Sequence, residues 1–362
     1  MHLKSLQTIN SRDRISSVDV FRAFAILPVV IYHFNSFIPY GYLGVDLFFV
    51  ISGLLVGSIL IRKFKKNEKI IFWKFILQRG FKIWPSYYCF LLVGTILAYI
   101  FYRYDKPEYI INGAGDSIRY LFFFQNYTGA PYHLPFDHVW SLCVEEHFYI
   151  LLPIVFLILT ALFKNSRNLL ILSVVGLIAS GIVFKFISVY FMPGISTYST
   201  THNRIDALGW GVLLGVFTTY FGDYLKKLKW LPLVFIVGLL LFALNLVALL
   251  QLKSAFYQDA IFYSVSPFCF FLMLLGLYYH DFSSWKPIRF IAYYSYNWYL
   301  WHPLFVAIVG RYIGINWWGL LVYMIVSFTV AVFFTILVEE KFLKHREAII
   351  NKIFRKRQSA IA

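Results

Sequence analysis

The stretch LGVDLFFVISGLLVGSILI, residues 43–61, decides how the rest of this sequence must be read. Its 19 residues carry one ionisable side chain, Asp46. A helix needs roughly 20 apolar residues, each rising about 1.5 Å, to cross the hydrocarbon of a bilayer. Arg62-Lys63-Phe64-Lys65-Lys66 follows directly, a run that would hold one end of such a helix at a membrane surface. Nine further stretches meet the same test, at about 20–38, 83–102, 139–162, 169–191, 205–221, 231–250, 257–279, 288–310 and 316–338. The expected fold class is therefore all-α, a polytopic membrane helical bundle of about ten transmembrane helices. The apolar piece Ser117–Tyr127 is too short to span and is expected to be interfacial or re-entrant.

Composition and charge agree with that reading. The chain has 362 residues, 60% of them hydrophobic, and a mean hydropathy of +0.69, where a soluble domain runs at about 45–50% apolar. Ten spans put both termini on one side. On that side fall 25 of the 33 Lys and Arg residues, with seven opposite and Arg22 just inside the first span. The positive-inside rule makes the richer side cytoplasmic, so both termini are expected in the cytoplasm of a cell whose inner membrane holds the chain. The net charge of +16 is thus a topology signal. A nucleic-acid surface would need a basic face on a soluble domain, and no stretch offers one. Cys89, Cys143 and Cys269 lie in apolar stretches without metal-ligand or redox spacing, so neither a metal site nor a disulfide framework is expected. Residues 1–19 are polar and no small-residue cleavage site follows the first apolar run, which is expected to remain as the first membrane helix. The organisation read from this is a cytoplasmic segment 1–19, a membrane domain 20–340 and a basic cytoplasmic tail 341–362. The longest outer loop is 103–138, and no internal repeat is evident, which disfavours a repeat-built transporter.

Charged groups within a bilayer are expensive and mark function by default. Arg22 lies at the cytoplasmic mouth of the first span, and His33 is 11 residues on, about 16 Å deeper. After the turn 39–44 the second span brings Asp46 to a similar depth. A carboxylate beside an imidazole fixes its tautomer and raises its basicity, as a general base requires. The fourth span enters from outside with Glu145 and Glu146, which point to different sectors because neighbours on a helix are ~100° apart; only one can readily share a pocket with His33. Arg79 and Lys82, three apart before the third span, share a face and could cradle phosphates. His302 sits mid-membrane in the ninth span. Arg204 and Asp206 are expected to bind other helices rather than each other, and Glu339-Glu340 to pair with the basic tail.

Taken together these residues resemble the acyltransferase-3 family of integral membrane O-acyltransferases. The resemblance is carried by Arg22 and His33 with ten residues between, by Gly41-Tyr-Leu-Gly44-Val-Asp46-Leu-Phe48-Phe49-Val-Ile-Ser52-Gly53, by Arg79-Gly-Phe-Lys82 before Pro85, by His138-Val-Trp140-Ser141-Leu-Cys-Val-Glu145-Glu146-His147-Phe-Tyr149, and by Ser295-Tyr-Asn-Trp-Tyr299-Leu-Trp-His302-Pro303. It covers about residues 16–342. Two departures stand out. Lys82 replaces the second arginine of the family's pre-span pair, keeping the charge and losing the bidentate fork. His147 stands where Gln is usual. Some members also carry an extracytoplasmic esterase-like domain, which this chain is expected to lack.

The resemblance implies transfer of an acyl group, most often acetyl, from cytoplasmic acyl-coenzyme A to a hydroxyl of an envelope polysaccharide or lipid-linked glycan in a bacterium. Acyl-coenzyme A would be a co-substrate, with no bound cofactor. Its phosphates would dock among Arg79, Lys82 and Arg22. His33 would act as general base, oriented by Asp46, or as a transient acyl-histidine. Glu146 or Glu145 would place the acceptor, with Trp140, Tyr149 and His302 as acceptor-binding residues. The competing classes are a transporter or flippase using the buried His and acids as a proton relay, and a glycan polymerase or other lipid-sugar enzyme. The oligomeric state is not written in the sequence.

Overall fold

The structure, a computed structural model, describes residues 14–102, 113–127, 136–163, 166–192 and 194–359. The expected N-terminal segment, the outer loop and the end of the tail therefore lie partly outside the described residues. Among those described, every regular element is helical. Eight stretches are long and apolar enough to cross a membrane. They contain α1 (Ser16–Asn35), α2 (Gly44–Lys65), α3 (Phe72–Tyr102), α5 (Trp140–Phe163), α6 (Arg167–Phe191), α8 (Leu231–Leu252), α9 (Tyr263–Leu277) and α12 (Trp317–Phe334). A short α4 (Gly113–Leu121) covers part of the piece too short to span.

The other two expected spans are helical but shorter. α7 (Ile205–Tyr220) has 16 residues. The expected span 288–310 is divided into α10 (Lys286–Trp301) and α11 (Pro303–Tyr312). Pro303 causes the division, since a proline has no N–H to return to the carbonyl four residues back. Beyond α12 the chain passes through a π-turn, Thr335–Glu339, into α13 (Glu340–Ser359).

The chain divides into two compact units. The first holds Met1–Leu27, Tyr42–Lys69 and Trp140–Tyr293. Its most extensive helix crossing is α2 on α7, and glycines make that crossing possible. A Cβ on Gly53 would lie 2.0 Å from the Leu208 carbonyl oxygen, and one on Gly211 would lie 2.0 Å from that of Val50. Gly57 and Gly215 extend the same seam one turn on. Without a hydrophobic driving force between helices in lipid, such close backbone approach is the main source of association.

The second unit holds Pro28–Gly41, Ile70–Val139 and Tyr294–Ala362. Tyr323 on α12 donates to the Val30 carbonyl at 3.2 Å, Tyr296 donates to that of Ile83 at 2.8 Å, and Trp298 Nε1 donates to Ser327 Oγ at 3.0 Å. The turn after α1 folds back so tightly that a Cβ on Gly41 would meet the Pro28 carbonyl oxygen at 2.3 Å.

Candidate active site

In the second unit three imidazoles meet. The ring centroid of His33 lies 4.9 Å from that of His302, edge to face, and His302 lies 5.4 Å from His138. His33 Nδ1 is 2.8 Å from the Val29 carbonyl oxygen one turn back. A carbonyl only accepts, so Nδ1 carries the proton and Nε2 keeps its lone pair. The tautomer a general base needs is thus set by α1 itself. His302 Nδ1 donates in the same way to the Trp298 carbonyl at 3.0 Å, and His138 Nε2 to that of Leu300 at 3.1 Å. Tyr299 donates to the His138 carbonyl at 2.7 Å. His302 and His138 are buried, whereas His33 is partly exposed. The break at Pro303 positions His302 at the start of α11.

The same unit holds the basic pair before the third span. α3 begins at Phe72, so Arg79 and Lys82 lie within one helix, as their spacing anticipates. The Lys82 ammonium is paired with Glu339, and Asn297 Nδ2 donates to the second oxygen of that carboxylate at 2.8 Å. The expected partner of Glu339 was the basic tail. The structure gives it Lys82, 257 residues away in sequence.

The first unit contains the other expected residues. Asp46 forms an ion pair with Arg204, both side chains fully buried. The Arg204 guanidinium lies 5.2–5.7 Å from the ring centroids of Tyr198, Tyr263 and Phe49. Asp206, two residues on, pairs with the equally buried Lys185, which also donates to the Tyr263 carbonyl at 3.0 Å. Arg204 and Asp206 therefore bind other elements rather than each other, as read from their spacing. Asp46, expected to orient His33, has its carboxylate on Arg204, and His33 donates its Nδ1–H to the Val29 carbonyl.

Glu145 and Glu146 do separate into different surroundings. Ser52 donates to Glu145 Oε1 at 2.8 Å, Tyr149 donates to Oε2 at 2.9 Å, and the two hydroxyls are 2.9 Å apart. Glu145 is partly exposed and Glu146 is buried. Tyr149 is only 3% exposed, and the Trp140 ring packs against Tyr198 at 4.8 Å and Phe49 at 5.8 Å. Both rings expected to stack on an acceptor are thus packed inside the unit. Arg22, also of this unit, is partly buried. His147 Nδ1 is 2.7 Å from Thr201 Oγ1.

Sequence reasoning gave no role to His138, Tyr299 or Ser52, although all three lie in the quoted motifs. His138, just before the first turn of α5, was the available signal for a third imidazole. Among the described residues no cluster of His, Cys, Asp and Glu is suited to hold a metal ion.

Comparison with known proteins converges on one family. No solved structure matches the chain. It is 30% identical over 330 residues to the O-acetyltransferase OatA of Staphylococcus aureus, covering 85% of this chain and 53% of the relative. It is 26% identical over 351 residues to the peptidoglycan O-acetyltransferase OatA of Listeria monocytogenes, covering 89% and 54% respectively. The chain thus spans about half the length of these relatives. A profile of the acyltransferase-3 family, described as an acyltransferase domain, matches residues 15–338, and the chain belongs to that family.

Proposed function

We propose that the chain is a multi-pass O-acyltransferase of the bacterial cytoplasmic membrane, both termini cytoplasmic. It moves an acyl group, acetyl in the first instance, from acyl-coenzyme A to a hydroxyl of an envelope polysaccharide or lipid-linked glycan. The observation that carries the reading is His33. Its Nδ1–H is committed to the Val29 carbonyl at 2.8 Å, so its Nε2 is left as a base. Family membership supports the acyl transfer, and the name of the Listeria relative supports a glycan acceptor.

His33 Nε2 takes the proton of the acceptor hydroxyl as its oxygen adds to the thioester carbonyl. The carbon–sulfur bond then breaks, and the proton on Nε2 passes to the departing thiolate, giving the ester and free coenzyme A. Attack by Nε2 itself, through an acyl-histidine, uses the same lone pair and leads to the same products. His302 holds the rear of the His33 ring. Arg79 leads in holding the donor's phosphates, and Lys82 joins it when a phosphate displaces Glu339 from its ammonium. Glu145, with both oxygens already accepting hydroxyl donors, can accept from a sugar hydroxyl beside Ser52, with Trp140 and Tyr149 shaping that place and Glu146 supporting it. Asp46 serves by fixing Arg204.

The test uses membranes carrying wild type or His33→Gln, supplied with coenzyme A thioester bearing a labelled acetyl group. Label in the glycan fraction and free thiol should both appear with wild type and both fall to background with the variant. Equal transfer by a folded His33→Gln protein would overturn the assignment. Arg79→Ala should raise the apparent Michaelis constant for donor; an unchanged donor dependence would remove Arg79 from the site.

A further inference from the structure

A polar cavity lies within the first unit, apart from the residues assigned to acyl transfer. Its volume is about 440 Å³ and it opens where α2, α7 and α9 end. Arg62, Lys65 and Lys226 line it, with Thr218, Tyr279 and one carboxylate, Asp223. Three cations face a single acid, on the face that the charge bias assigns to the cytoplasm.

Part of this charge is accounted for by the helices. Lys65 Nζ donates to the Thr219 carbonyl at 2.7 Å, capping the end of α7, as a cation at a helix C-terminus should. The remainder is not consumed in that way. Arg62 is exposed at the cavity rim, and the Lys226 ammonium lies over the Tyr279 ring, 5.5 Å from its centroid. The Tyr279 hydroxyl is buried and has no hydrogen-bond partner among the described residues. Burial, with Tyr278 and Asp223 nearby, pushes its pKa up to about 12, so across the neutral range it is a neutral O–H donor. Gly222 gives it room, since a Cβ there would stand 3.1 Å from the hydroxyl oxygen. Two cations and an unspent donor around a hollow are the complement of a tetrahedral oxyanion. Basic pockets between membrane helices at the cytoplasmic surface suit phosphate headgroups.

We propose that this cavity binds a phosphate anion, held by Arg62, Lys226 and the Tyr279 hydroxyl, and that in the bilayer the phosphate belongs to the headgroup of an anionic phospholipid. A soluble phosphate presents the same chemistry, and the experiment separates the two sources. The full chain is reconstituted in mixed phosphatidylglycerol and phosphatidylcholine, and lipids retained on its release are counted by native mass spectrometry. Wild type should retain phosphatidylglycerol in clear preference, and Arg62→Gln with Lys226→Gln should abolish the preference. Lys229→Gln, a charge removed outside the cavity, should leave it intact, while Tyr279→Phe should reduce it several-fold. In parallel, the thermal midpoint of wild type in zwitterionic detergent is followed against inorganic pyrophosphate. A saturable rise that the double variant lacks, without lipid preference, keeps the anion site and overturns the headgroup as its occupant. No lipid preference and no pyrophosphate shift in folded wild type overturns the site, as does full preference in the double variant. If the double variant does not fold, Tyr279→Phe decides against Lys229→Gln: equal retention by the two overturns the site.

Discussion

In the first unit buried charge is met by charge: Arg204 by Asp46, Lys185 by Asp206, all four side chains at 0% exposure. In the second, the three buried or half-buried imidazoles each donate a hydrogen bond to a backbone carbonyl, and His302 meets the other two edge to face. A buried ion pair commits each charge to the other, and removing one partner leaves the other uncompensated. An imidazole with one nitrogen on a carbonyl still has the other. Polar residues in a membrane protein therefore fall into two kinds, those that hold the bundle and those that retain an unused valence, and the partner tells which.

His33→Gln should have the largest effect, lowering transfer by about 10²–10⁴-fold, the range for a general base, with the thermal midpoint in detergent unchanged. A comparable loss of stability would make His33 architecture. Asp46→Asn should do the opposite. Leaving Arg204 buried without its carboxylate costs about 3–5 kcal/mol, read as an earlier loss of monodisperse protein on heating. Replacing both partners by Leu and Met should restore most of that stability. If Asp46→Asn stays stable and transfer is lost, Asp46 moves to the chemical side. Gly211→Ala forces a methyl against the Val50 carbonyl and should cost about 1–3 kcal/mol as overpacking. Gly115→Ala, with nothing within 4 Å, should be neutral in the same melt. His147→Gln should change stability by no more than about 1 kcal/mol, because the amide can keep the hydrogen bond to Thr201.

The spans were legible because lipid demands a length and a composition that can be counted. Eight of the expected spans meet that test among the described residues, and the other two are helical but shorter or divided. The stretch 205–221 reads as a span, yet its helix is a turn shorter than the bilayer test requires. The stretch 288–310 contains Pro303 in plain view, but a proline inside a membrane helix does not by itself say kink or break. Individual site residues were legible as types at depths: His33 and His302 both stood out as imidazoles within apolar runs. Partner choice was not. Nothing local in Glu339 points to Lys82, and nothing in Asp46 points to Arg204, because each contact is set by how distant helices cross. The acceptor of His33 was invisible for another reason: it is a backbone carbonyl, which every residue has.

The Asp46–Arg204 contact also bears on how the chain is made. About 160 residues separate the two, and at roughly 5–20 residues per second the ribosome delivers Arg204 on the order of ten to thirty seconds after Asp46. Lys185 and Asp206 are 21 residues apart and are born almost together. α2 therefore enters the bilayer with its carboxylate lacking its guanidinium, and must wait in a provisional arrangement. The α2–α7 seam can close only once more than half of the chain has been made, and a chain arrested between the two residues would present a half-built unit to the membrane's quality control.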